Sequence, residues 1–217
     1  MIVAHINASS LLGPVRNQGQ RGTCLAFTAS DLNAVSNSTG YLSVEYLCHH
    51  AARAVQDWTQ EDGFSVDAIF SATKAPGQPT EDLCAYDGTN AAAPLTAPDH
   101  MLRPLYSSAS QRRGMSIDEV VAEVEHGHPV GVVVAVAATL FKPVGGIVTF
   151  DPMVLPDQYH AMVAVGVGRH SMTMETHLLL RNSWGSLWGV DGHAWISHSY
   201  LAMHLVEGLV LSDGKTL

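Results

Sequence analysis

The hydrophobic period of the chain changes once, near Pro129, and that change limits the fold more than any single residue. Between Cys24 and Ser36, Leu25, Ala29, Leu32 and Val35 recur at helical spacing with no Gly or Pro between them. A second helix is expected after Ser43 as N-cap, with Glu45 in the first turn where the helix dipole favours an anion, ending near Gln56. A short third helix follows Gly63, with Val66, Ile69, Phe70 and Thr73 on one face. Residues 75–115 are rich in Pro, Ala, Gly and Ser without a sustained period, so a loop-rich connection is expected there. Ser116-Ile-Asp-Glu119 then reads as a capping box. Ile117, Val120, Val121 and Val124 form the stripe that follows, and Gly127 and Pro129 end it.

Beyond Pro129 the runs are short, β-rich and punctuated by Gly, Pro, Asp or Asn. The spacing predicts strands at Val130–Ala137, Ile147–Phe150, Ala161–Val167, His177–Arg181, His193–Ser197 and Leu205–Leu211. Helices first and strands afterwards, without βαβ alternation, imply an α+β chain. The seam is expected in Ser107–Gly114, whose Ser, Arg and Gly suit an exposed crossing.

Composition excludes several classes. With 217 residues the chain buries a sizeable core and needs no disulfide framework. A charged fraction of 14% beside 47% hydrophobic residues rules out disorder. The net charge of −9 gives no electrostatic support for nucleic acid or an anionic membrane. The start, Met1-Ile-Val-Ala-His, is a poor signal peptide. The longest apolar stretch, Val130–Leu140, is well short of the roughly 20 residues that span a bilayer. A cytoplasmic protein is the expectation. Three cysteines are an odd number, so at least one thiol is unpaired within the chain.

Cys24 stands at a predicted helix N-terminus, just after Gly19-Gln-Arg-Gly22. The dipole and unpaired N–H groups there stabilise a thiolate, and Arg21 is expected to add to the effect. Position alone also fits an inert, buried thiol. The neighbouring residues decide between the two. Val15-Arg-Asn-Gln-Gly-Gln-Arg-Gly-Thr-Cys24-Leu-Ala-Phe resembles the nucleophile segment of the papain-like cysteine peptidases. Tyr159-His-Ala-Met-Val-Ala-Val-Gly-Val-Gly168 is similar to the strand that carries that family's histidine. Asn182-Ser-Trp-Gly-Ser-Leu-Trp-Gly189, followed by Asp191-Gly-His-Ala-Trp195, closely resembles its asparagine segment. His160 and Asn182 follow Cys24 by 136 and 158 residues, in the family's order. Leu42-Ser-Val-Glu-Tyr-Leu47, Gly63-Phe-Ser-Val-Asp-Ala68 and Phe141-Lys-Pro-Val-Gly-Gly-Ile147 are weaker matches. The resemblance runs over roughly residues 13–200.

The resemblance implies a papain-like two-domain fold. Residues 13–110 would form a helical left subdomain and 111–217 a β-barrel-like right one, with the active site in the cleft of a single catalytic unit, 1–217. It implies Cys24 as nucleophile and His160 as the imidazolium that pairs with the thiolate and later protonates the leaving amine. Asn182 would orient the ring, and Gln18 with the Cys24 N–H would form the oxyanion hole. Trp184 would shield the His–Asn contact, with Gly63, Phe64, Val133 and Ala161 at substrate subsites. No cofactor or metal is expected. His49 and His50 beside Cys48 point about 100° apart on a helix, which does not suit a metal cluster. The partner would be a peptide or protein.

Departures from the family pattern are also visible. Arg21 takes the place of a half-cystine, and Leu25 stands where Trp or Tyr is usual. Asp62 replaces a glycine before Gly63, where a carboxylate could select a basic residue. Cys48 and Cys84 either pair or remain two buried thiols. With only 12 residues before Gly13, no propeptide is expected and control would come from a regulatory partner, narrow specificity or a fused arrangement. Two rivals use the same residues: acyl transfer or amide hydrolysis on other substrates, and a silent peptide-binding module.

Overall fold

The computed structural model describes residues 1–59, 62–89 and 102–217. The chain divides into two compact units. One comprises Met1–Asn17 and Arg112–Val210, the other Gln18–Gln111 and Leu211–Leu217.

The second unit is built on three helices that pack on one another: α1 (Cys24–Ser36), α2 (Val44–Arg53) and α3 (Val66–Lys74). α2 starts at its expected cap, Ser43, and α3 at Ser65, a cap the sequence reading did not name. The hydroxyl of Ser43 accepts from Tyr46 N at 3.0 Å and that of Ser65 from Ala68 N at 3.2 Å. Every residue of α1 from Leu25 to Ala34 is buried, so the helix is enclosed all round rather than on one stripe. Two of its buried polar residues, Ser30 and Asn33, join one hydrogen-bonded network. Asn33 Nδ2 donates to Gln78 Oε1 at 2.9 Å, and Gln78 Nε2 donates to Ser43 O at 2.9 Å and Ser30 Oγ at 3.1 Å.

That polar core corrects the expected loop. Of residues 75–115, 90–101 lie outside the described residues, but Tyr106–Arg112 is a strand, β2, beside the C-terminal half of β8 (Leu205–Thr216). Ser107 and Ser108 are buried rather than exposed, and Ser108 Oγ donates to Asn33 Oδ1 at 2.7 Å. A strand filled with hydrogen-bonded serines carries no hydrophobic alternation for a sequence reading to find.

The first unit is a sheet with α4 (Ile117–Glu125) and α5 (His198–His204) beside it. Both bonds of the expected capping box, between Ser116 and Glu119, are present at the start of α4. The strands are β1 (Ile2–Asn7), β3 (Val130–Ala135), β4 (Ile147–Val148), β5 (Tyr159–His170), β6 (Thr176–Arg181) and β7 (His193–Ser197), with the start of β8. Their order is β8-β3-β5-β6-β7-β4, and β1 pairs with the far half of β5. All these pairs are antiparallel except β4 with β7. β5 is buried from His160 to Gly168, and so reads as one apolar run instead of alternating. The core below it includes Val120, Val124, Val132, Leu140, Met162, Leu178, Leu180, Ile196, Tyr200 and Leu201. β1 and α5 have no counterpart among the expected elements.

Among the described residues, no helix is long and apolar enough to cross a membrane.

Candidate active site

His160 and Asn182 belong to the strand-rich unit, where neighbouring strands set them side by side. His160 is the second residue of β5 and pairs in register with Val134 of β3. Asn182 directly follows β6, and its backbone N–H donates to Gly192 O at 3.0 Å. The preceding Arg181 is buried and grips the N-terminal segment, donating to Gly13 O at 2.7 Å and Pro14 O at 3.0 Å.

His160 Nε2 and Asn182 Oδ1 are 2.6 Å apart. The same oxygen accepts from Ser183 N at 2.7 Å. A backbone N–H can only donate, so this atom of the amide is the oxygen, and the imidazole must present a hydrogen on Nε2. Nδ1 of the neutral ring is thereby left with its lone pair. His160 is 4% exposed. Burial pulls its pKa down to about 4, against the upward pull of the Asn182 hydrogen bond. Within its own unit, burial favours the neutral ring. Any proton it takes must be stabilised by a negative partner.

Aromatic rings close over this pair. The Trp184 ring lies 4.2 Å from the His160 ring and stacks on Phe141 at 5.4 Å, with planes 7° apart. Trp188 meets Trp184 edge-on at 6.0 Å, and its Nε1 donates to Leu140 O at 2.8 Å. The turn holding these tryptophans needs glycine. Gly189 has φ +62°, and a Cβ there would lie 2.1 Å from His193 O. The sequence assigned no role to Phe141 or Trp188; their ring contacts with Trp184 do.

Cys24 and Gln18 belong to the helical unit. Cys24 is the first residue of α1, behind Thr23 as N-cap, and is partly exposed. Gln18 is buried, and its Nε2 donates to Arg21 O at 2.9 Å. Arg21 departs from its expected part. Its guanidinium is 3% exposed and bonds both oxygens of Glu45, itself 1% exposed, at 2.5 and 3.3 Å. A cation neutralised in this way adds little field at a neighbouring thiol. It also lies 4.6 Å over the Tyr86 ring.

None of the three cysteines is in a disulfide; Cys48 and Cys84 are buried thiols. Burial pushes both thiols up in pKa. Of the expected subsite residues, Val133 and Ala161 are direct cross-strand partners on β3 and β5. Gly63 and Phe64 lie in the other unit. There Phe64 stacks on Trp58 at 4.9 Å, and Trp58 Nε1 donates to Gly63 O at 2.5 Å. Asp62 is exposed, and its Oδ2 accepts from Thr59 N at 2.7 Å and Thr59 Oγ1 at 2.9 Å. His49 and His50 stand edge to face on α2, 5.3 Å apart.

Solved structures identify the fold as papain-like. A clostridial cysteine protease after propeptide cleavage superposes with a TM-score of 0.80 at 17% identity, covering 96% of this chain and 56% of that one. A Carica candamarcensis cysteine protease in complex with E-64 gives 0.72 at 18% identity, over 96% and 97% of the two chains. The chain belongs to the papain family of cysteine proteases, whose profile matches residues 4–207. Cysteine protease 1 of Oryza sativa subsp. japonica is 25% identical over 195 residues, covering 85% of this chain and 38% of the relative. The chain spans between 38% and 57% of the length of this relative and three others, an oryzain gamma chain of the same rice and cathepsins K and J of Mus musculus.

Proposed function

We propose that the chain is a cysteine peptidase that hydrolyses peptide bonds through a thioester on Cys24. The observation that carries this reading is the His160–Asn182 pair, which fixes the tautomer whose Nδ1 acts as base. In the proposed cycle His160 Nδ1 takes the Cys24 proton, and the thiolate sulfur attacks the peptide carbonyl carbon. The carbonyl oxygen becomes an anion, met by a Gln18 Nε2 hydrogen and the Cys24 backbone N–H. As the C–N bond breaks, His160 returns the proton to the leaving amine. Water, giving a proton to His160, then attacks the thioester. The acid leaves as its C–S bond breaks, and the sulfur regains its proton.

The imidazolium that forms is held by the thiolate's charge on one side and Asn182 on the other, while Trp184 keeps water from the Nε2–Oδ1 bond. Val133 with Ala161, and Gly63 with Phe64, are assigned to substrate subsites with an apolar preference. Residues 1–217 would act as one catalytic unit, with residues 13–110 and 111–217 as its helical and β-rich parts. Its substrates would be peptides or proteins, in the cytoplasm and under a regulatory partner. Two buried thiols outside any disulfide support the reducing compartment.

The test is labelling by an epoxysuccinyl reagent near neutral pH, read by peptide mapping, beside cleavage of a peptide library. Stoichiometric modification of Cys24 with loss of cleavage is expected, and Cys24→Ala should be inactive. If Cys24 reacts no faster than Cys48 and Cys84 in the folded protein, the reading fails.

A further inference from the structure

The turn that leads into α1 is buttressed by residues 86–88, which no sequence motif singled out. The backbones touch: Gly19 has φ +63°, and a Cβ on it would lie 2.0 Å from Gly88 O. Tyr86 Oη lies 2.9 Å from Gln18 O and 2.7 Å from Thr23 Oγ1. A carbonyl cannot donate and a phenol has one hydrogen, so Tyr86 donates to Gln18 and Thr23 donates to Tyr86. Thr23 is the N-cap of α1, immediately before Cys24. One oxygen therefore ties the backbone of Gln18 to the residue that precedes the thiol.

The ring itself is fixed on two sides. The Arg21 guanidinium lies 4.6 Å over it, and Phe27 meets it edge-on at 4.8 Å. Arg21 also donates to Asp87 O at 2.7 Å, while its own carbonyl accepts from Gln18 Nε2 at 2.9 Å. An amide nitrogen carries two hydrogens, and the one committed to Arg21 sets the plane in which the other lies. Tyr86 thus acts on both ends of the segment that supplies the two proposed oxyanion donors.

We infer that Tyr86 is a positioning residue for the oxyanion hole, its hydroxyl setting the distance at which the Gln18 amide and the Cys24 N–H converge on one oxygen. This rests on the peptidase reading. Burial pushes the Tyr86 hydroxyl up to about 12, so it keeps the proton it donates throughout the neutral range.

Tyr86→Phe keeps the ring, its Arg21 and Phe27 contacts and its volume, and removes only the bridging oxygen. Rates are compared per Cys24 thiol titrated in the folded protein. Peptide cleavage should fall about 10-fold in kcat with KM unchanged, a fraction of the ~10²–10³ lost when an oxyanion donor is removed. Alkylation of Cys24 by iodoacetamide develops no oxyanion and should stay within about twofold. Gln18→Ala should lose about 10²–10³ in rate, and adding Tyr86→Phe to it should cost clearly less than the roughly 10-fold it costs alone, since only the Cys24 N–H is then left to position.

Losses that simply add, or an equal fall in alkylation, would overturn the inference and make Tyr86 a general support of the fold. An active wild type with undiminished Tyr86→Phe would also overturn it, and leave the peptidase reading standing. A wild type that is alkylated at Cys24 yet cleaves no peptide would overturn both.

Discussion

Glu45→Gln is expected to be the most damaging single-atom-scale change outside the site. The variant keeps the shape of the side chain and removes its charge. In the native protein, Arg21 and Glu45 are 3% and 1% exposed, so neither charge reaches water, and each relies on the other at 2.5 and 3.3 Å. Burial pulls the guanidinium's pKa down, but the Glu45 hydrogen bond and the surrounding charges outweigh it, and the net shift is upward. That upward shift depends on Glu45, but a guanidinium is basic enough to stay charged at neutral pH without it. In the variant it would meet the Tyr86 ring, the Asp87 carbonyl and an amide oxygen but no negative charge. Breaking one side of such a pair costs about 3–5 kcal/mol. For a chain of this size that is a fall of about 6–20 °C in Tm. Urea titration followed by tryptophan fluorescence, with a thermal scan, measures it. Replacing both partners, Arg21→Met with Glu45→Leu, should restore most of the loss, because no buried charge is then left unpaired. A single variant that loses less than about 1 kcal/mol, or a double variant no better than the single, would refute the reasoning. This ion pair stands where the family pattern would have a half-cystine.

Acid should weaken the protein through His160. Its folded pKa of about 4 lies below the ordinary 6.5, so its share of stability is complete above about 6.5 and is lost as pH falls through 4. That share is about 3 kcal/mol. Urea midpoints at pH 7 and pH 4 should show it, and His160→Gln should flatten that part of the profile. Thiol counting without reductant should give three thiols per chain after denaturation, with Cys48 silent in the native protein; a count of one would mean a Cys48–Cys84 disulfide. Gly189→Ala should destabilise by more than about 1 kcal/mol, since its positive φ and the 2.1 Å approach to His193 O both exclude a Cβ. A denaturation midpoint equal to the wild type's would contradict that geometry.

Features whose cause lies within a few residues could be read along the chain. Cys24–Ser36 begins and ends where its spacing placed it, and Ser43 and the Ser116–Glu119 box cap the helices that follow them. Caps, breakers and periodicity act over one or two turns, so they are written locally. The Cys24, His160 and Asn182 segments were legible for the same reason, each being a short run with its own pattern. Tertiary structure decided what depends on distant partners. Arg21 is neutralised by Glu45, 24 residues away, and β2 is a strand because it lies beside the distant β8, with its buried Ser108 satisfied by Asn33, 75 residues away. The His160 tautomer is set by an amide 22 residues further along, itself oriented by Ser183 N. A buried polar group must find its partner wherever the fold brings one within about 3 Å, and linear spacing does not record that distance.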